Sequence, residues 1–224
     1  MYYYSQRPTP LYGERVYREG TPVKYMDIYK EVIKHVYISQ IARENTLDKI
    51  KEKIRYPNLD EILESLVNRG CIEIKNNRVF VTEDGRKLIK VGLIGGTFDI
   101  IHVGHIATLH DAKKLVDVLA VVIARDQTVY KNKGRYPINN EIMRLKVVSA
   151  LKDVDVAILG DEMDFMKPIN IIKPDYIFLG YDQELPNAIK DRIPNNITIV
   201  RLNTEIKGVK TTYIIRKLRE IFGL

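Results

Sequence analysis

The sequence predicts an α/β fold, in which a parallel sheet covered by helices over residues 91–224 is preceded by a small winged helix-turn-helix domain over 26–90. Three observations carry this. Five short apolar runs, at 91–95, 118–124, 156–159, 176–179 and 197–202, alternate with helical stretches near 103–116, 139–151, 164–172, 184–192 and 211–222. Runs that are apolar without a period of two are strands buried on both faces, the signature of a parallel sheet with right-handed crossovers. Ahead of them come three helical patterns and then a hairpin pattern, the order of a winged helix.

Taken from the start, residues 1–25 hold six tyrosines, Gly13 and Gly20 and two proline turns but no apolar period, and they read as an arm. A helix opens at Met26 through Ile28, Val32, Ile33 and Val36, and a second runs from about Ile41 to Ile54 and stops before Pro57. Leu59, Ile62, Leu63, Leu66 and Val67 give a third helix one apolar face, ending at Gly70. Two strand-like runs, 71–75 and 78–82, are joined by Asn76 and Asn77, residues that tolerate the positive φ of a tight hairpin. The grammar changes at residue 90, with almost no linker.

Composition bounds the class. The 224 residues carry 36 Lys and Arg against 29 Asp and Glu, a net +7 that divides into +4 before residue 91 and +3 after it. This surplus suits anionic small molecules better than it suits a dedicated nucleic-acid binder. The single cysteine, Cys71, excludes an intrachain disulfide and points to a reducing compartment. The longest unbroken apolar run, 118–124, is far short of the roughly 18 residues that span a bilayer. With no apolar stretch behind Met1 to act as a signal, a cytoplasmic location is expected.

The chemistry concentrates in Gly95-Gly96-Thr97-Phe98-Asp99-Ile100-Ile101-His102-Val103-Gly104-His105, between the first strand of the sheet and its first helix. In open parallel sheets anions bind there, because unpaired N–H groups and the helix dipole face the strand ends. Gly95 and Gly96 let the backbone turn close to a phosphate, and Gly104 removes a side chain between two histidines. His102 and His105, three apart, share one face of the first helical turn. Two imidazoles there can donate hydrogen bonds to oxygens that gain charge as phosphorus is attacked. His110 lies about 140° around the helix from His105 and is left outside the site. An i, i+3 histidine pair can also share a metal ion, but Asp99 is the only further ligand type nearby, so no protein-held metal is expected.

Gly-Thr-Phe-Asp combined with His-x-Gly-His resembles the HxGH nucleotidyltransferase superfamily, which includes the cytidylyltransferases. The resemblance covers about residues 91–222 and implies a Rossmann-like parallel sheet nucleotidyltransferase domain. It also implies the reaction, in which a substrate phosphate attacks the α-phosphorus of a nucleoside triphosphate and diphosphate leaves. On this resemblance His102, His105 and Lys133 are catalytic, with Lys133 and Lys131 in a basic loop holding phosphates. Gly95, Gly96, Thr97, Phe98, Asp99 and Gly104 bind the nucleotide, and Arg144 on the next helix reaches a phosphate. Asp182 at the end of the fourth strand accepts from a ribose or base, or caps the next helix. The segment 207–212 is similar to the family's Gly-Ile-Ser-Thr-Thr, so Thr211 and Thr212 bind the triphosphate. Lys210 stands where Ser is common and Asn203 near a frequent Arg, so Lys207 or Lys210 takes the arginine's place.

Among subfamilies, the stretches 122–129, 133–137, 150–160 and 173–183 look most like archaeal-type FAD synthases, which join FMN to the AMP of ATP. Glycerol-3-phosphate cytidylyltransferase, using CTP, shares nearly the same skeleton and stays open. The resemblance further implies Mg²⁺ travelling with the triphosphate and a homodimer. A second class of function is a DNA-binding regulator acting through the winged helix. Against it, the third helix would turn Asp60, Glu61 and Glu64 toward DNA phosphates, although Lys49, Lys51, Lys53, Arg55 and Arg78 lie nearby.

Overall fold

The computed structural model describes residues 3–5, 25–185, 187–206 and 208–223. Most of the expected N-terminal arm, and Lys207, lie outside the described residues. The chain divides into two compact units between Lys90 and Val91, with Tyr3 and Tyr4 grouped with the second.

In the first unit α1 (Tyr25–Ile41), α2 (Leu47–Lys53) and α3 (Leu59–Asn68) precede a hairpin of β2 (Ile72–Lys75) and β3 (Arg78–Val81), followed by a single turn, α4 (Glu83–Arg86). Asn76 and Asn77 take φ of 48° and 59°, the left-handed pair that a two-residue hairpin needs. The second helix is shorter than its apolar pattern suggests. Arg43 leaves helical geometry at φ 60°, and Thr46 restarts the helix by accepting from the Lys49 N–H. Val32, Ile33, Val36, Ile50, Leu66 and Val79 fill this unit's core.

The second unit holds β4 (Val91–Gly96), β5 (Val118–Ile123), β6 (Val156–Leu159), β7 (Tyr176–Leu179) and β8 (Thr198–Arg201) in one sheet ordered β6-β5-β4-β7-β8, with every pair parallel. A short strand β1 (Tyr3–Ser5) lies beside β6 in that order. The helices between them are α5 (Val103–Lys113), α6 (Asp126–Lys133), α7 (Glu141–Ser149), α8 (Met166–Ile172), α9 (Asn187–Lys190) and α10 (Thr211–Phe222). Strand order reverses at β4. Chains leaving β4 and β7 there diverge, and the crevice between them is where such sheets bind ligands. Leu119, Val121 and Ile123 of β5 pack with Ile94, Phe98, Leu109, Leu145, Val148 and Phe178 into one core. No helix among the described residues is long and apolar enough to cross a membrane.

The expected α/β parallel sheet is therefore present. The segment read as a basic loop is a helix, α6, closed by Gly134 at φ 68°. Its sequence, DQTVYKNK, buries only Thr128 and Val129, so it carries no apolar period to announce a helix.

Candidate active site

The loop leaving β4 is built around Phe98. Its backbone sits in the left-handed region at φ 51°, which costs a residue with a Cβ about 1–2 kcal/mol. That turn folds the Phe98 ring under Gly96, where an added Cβ would come within 2.6 Å of it. The same ring meets His105 at 5.2 Å between centroids. Gly96 is thus required by close approach, whereas Gly95 has room for a Cβ.

His102 caps α5 and His105 lies in its first turn, and their rings stack at 3.9 Å with 25° between planes. Gly104 permits this. A Cβ there would stand 3.1 Å from Cε1 and Nδ1 of His102, and 3.5 Å from the Val209 carbonyl oxygen. Burial pushes the His105 pKa down to about 4, helped by His102 and Lys133, and burial also lowers His102. Both rings are neutral near pH 7. The Nδ1 atoms of both are buried without a hydrogen-bond partner. His110, as expected, is elsewhere, paired with Asp153 at 3.1 Å.

Lys133, at the end of α6, places Nζ 3.2 Å from Thr97 Oγ1, directly on the loop beside the histidines. Partial burial of its ammonium, followed by repulsion from Arg135, lowers its pKa. Because α6 is helical, Lys131 is turned about 200° from Lys133 and does not share its side. The expectation of two lysines side by side in one loop is corrected to two lysines on different sides of a helix.

Arg144 requires a second correction. It is 1% exposed. Its Nε donates to the Asn139 carbonyl (3.0 Å), Nη1 to the Thr97 carbonyl (2.5 Å), and Nη2 to the Ala124 carbonyl and to Asp126 Oδ1 (both 2.7 Å). A guanidinium spent on three main-chain oxygens and a carboxylate has no fork left for a phosphate. It holds the loop after β4 to the end of β5.

Asp99, expected among the nucleotide contacts, is likewise committed. Its two carboxylate oxygens accept from the Ile138 and Asn139 N–H groups, each at 2.9 Å, while Asn139 Nδ2 donates to the Asp99 carbonyl at 2.8 Å. Asp99, Asn139 and Arg144 thus form one clamp from the β4 loop to the start of α7. Asp126 and Glu141 complete it by reciprocal caps, the Asp126 N–H donating to Glu141 (2.8 Å) and the Glu141 N–H to Asp126 (3.2 Å). Sequence reading missed Asn139, Asp126 and Glu141. Their only signal is an acidic residue at each of two helix starts, which is common.

Thr211 and Thr212 open α10, and Lys210 precedes them as its cap. Lys210 donates to Asp182 at 2.9 Å and lies 5.0 Å above the Tyr181 ring, and these partners raise its pKa. A cavity of about 390 Å³ lies here, lined by Tyr181, Val209, Lys210, Tyr213 and Arg216 among others. Gln183, also unforeseen, accepts from the Gly180 N–H at 3.0 Å and donates to the Gly95 carbonyl at 3.4 Å, tying the end of β7 to that of β4. Among the described residues no three His, Cys, Asp or Glu side chains gather as a metal cage.

Strand ends that diverge beside a helix start bearing two neutral imidazoles, with a lysine from the end of α6 alongside, suit a reaction in which nothing is bonded to the protein and charge builds on phosphate oxygens. The fold and site define the chain as a nucleotidyltransferase. Residues 93–220 match the cytidylyltransferase-like family model, and the chain belongs to that family. It is 48% identical over 133 residues to the FAD synthase of Thermoplasma acidophilum, covering 57% of this chain and 93% of that one. The FAD synthase of Archaeoglobus profundus is 45% identical over 56% of this chain and 84% of its own. That of Pyrococcus abyssi is 39% identical over 62% and 97%.

Proposed function

We propose that this chain is an FAD synthase, transferring the AMP of ATP to the phosphate of FMN with release of diphosphate. The observation that carries the reading is 39–48% identity to archaeal FAD synthases across at least 84% of their length. It is joined to the stacked His102 and His105 at the strand-order reversal.

The step is a displacement at phosphorus. An FMN phosphate oxygen forms a bond to the α-phosphorus, the bond from that phosphorus to the bridging oxygen breaks, and the electron pair leaves with diphosphate. The histidines serve as hydrogen-bond donors. A buried orphaned N–H costs more than an orphaned lone pair, so unpartnered Nδ1 atoms put each ring's proton on Nε2, the donor for α-phosphate oxygens. Positive charge comes instead from Lys133. The N–H groups and hydroxyls of Thr211 and Thr212 receive the outgoing phosphates at the α10 start, and the cavity beside Tyr181 takes the base. Mg²⁺ accompanying the triphosphate would offset part of its charge and would be held mostly by phosphate oxygens, since both Asp99 oxygens are engaged and Asp182 is paired with Lys210.

Diphosphate release is measured with ATP or CTP crossed against FMN or glycerol 3-phosphate. Turnover with ATP and FMN is expected, and turnover confined to CTP overturns the flavin reading.

A further inference from the structure

Two exposed tyrosines stand beside the catalytic lysine with no part in the steps above. Tyr130 lies on α6 three residues before Lys133, so the two side chains are neighbours on one side of the helix. Gly134, at φ 68°, reverses the chain and lays Tyr136 on Tyr130, with centroids 4.7 Å apart and planes at 22°. Gln127, a turn earlier, fixes the stack by donating from Nε2 to the Tyr136 hydroxyl at 3.2 Å. The rings nevertheless remain 47% and 52% exposed, and Ile138 beside them is 63% exposed. A stacked aromatic pair held in register yet open to solvent is a platform with one ring face unused.

Its surroundings say what would use it. Lys133 touches Thr97 on one flank, Arg135 approaches Asp99 at 3.9 Å on the other, and the Ile138 N–H is bound to Asp99. The platform therefore adjoins two cations, Lys133 and Arg135, beside the loop that leaves β4. Tyr130 lies about one helical turn, roughly 5 Å, before Lys133, so a ligand that joins a phosphate to a flat ring through a flexible five-carbon chain is long enough to hold its phosphate at the lysine and its ring at the tyrosine pair.

We propose that Tyr130 and Tyr136 bind the isoalloxazine ring of the acceptor flavin, and so select FMN over acceptors that lack a ring. This rests on the FAD synthase reading. Lys133 fixes the acceptor phosphate while the ring lies on the tyrosine pair, so binding energy from the non-reacting end of FMN positions the reacting oxygen.

The test uses the full chain with Tyr130→Ala, Tyr136→Leu and the double variant, and Tyr130→Phe as the ring-retaining comparison. Expected is a KM for FMN raised about tenfold by each ring removal, as removing a stacking partner does, with the KM for ATP unmoved and Tyr130→Phe restoring the FMN value. Flavin fluorescence, quenched when FMN binds the parent chain, stays unquenched with the double variant. An unchanged KM for FMN overturns the proposal, as does a rise confined to ATP or a loss of self-association in place of a kinetic effect. The parent chain separates this from the reading beneath it. If the parent makes FAD and the variants match it, only the platform falls; if the parent makes none, the FAD synthase reading falls.

Discussion

Replacing Arg144 with Met tests whether the site is held up from beneath. The change keeps the unbranched stem in its packing and removes four N–H donations, to the Asn139, Thr97 and Ala124 carbonyls and to Asp126. Taking one partner from a buried ion pair costs about 3–5 kcal/mol, because the other is left uncompensated. The Asp126 side chain retains 27% exposure and can rehydrate, which places the loss near the lower end, at about 3 kcal/mol. At about 4 °C per kcal/mol for a domain of this size, the melting temperature of the α/β unit falls by about 12 °C. Arg144→Lys can satisfy Asp126 and one carbonyl, and recovers about half. Thermal melting gives the total, and amide exchange at Thr97 and Ala124 locates it. The variant also loses turnover at temperatures where it is fully folded, since the Thr97 carbonyl is no longer fixed. A loss below about 1 kcal/mol, or turnover equal to that of the parent chain, would refute the clamp.

The remaining expectations concern the stacked histidines and α3. His105→Ala should lower kcat at least about 100-fold in a diphosphate-release assay, with little change in melting temperature; retained turnover removes the histidine from the mechanism. Gly104→Ala places a Cβ 3.1 Å from the His102 ring and should cost about tenfold or more in kcat through displacement of that ring, visible as altered imidazole NMR shifts. With the His105 pKa near 4 in the free protein, a bound triphosphate raises it, so protons are taken up on binding between pH 4 and 6.5; calorimetry in two buffers at pH 6 that finds no uptake contradicts this. Without nucleotide the sign carries to stability. The unfolded ring protonates near 6.5 and the folded one near 4, so stability declines as pH falls through that window, and His105→Gln flattens the slope in urea titrations. The exposed Asp60, Glu61 and Glu64 of α3 predict no retention of random duplex DNA even at low salt; a salt-dependent shift would show otherwise.

Four of the five parallel strands, β4 to β7, could be read from the chain because they are largely buried, and burial on both faces leaves an unbroken apolar run; β8, at the sheet edge, is mostly exposed and is marked only by its short apolar stretch. Gly96, Gly104 and the two histidines could be read because their neighbours in the sequence are also their neighbours in space. The Arg144 partners could not. Thr97 lies 47 residues away and Ala124 20, and an arginine that serves three carbonyls is written no differently from one that serves a phosphate. The α6 helix escaped for the opposite reason. It is held by its ends, with Arg125 and Asp126 bound to Glu141 at one and Gly134 closing the other, and its polar surface records nothing of that.

That helix changes when the disorder of a long cationic side chain is surrendered. A lysine on an open loop gives up its freedom each time a substrate arrives, and the affinity is reduced by that amount at every turnover. Lys133 gives it up once, on folding, because hydrogen-bonded backbone carries it to Thr97 before any nucleotide is present. Encounter with substrate then involves little ordering of this side of the site. Placement of this lysine is accordingly not a step that solvent viscosity can slow.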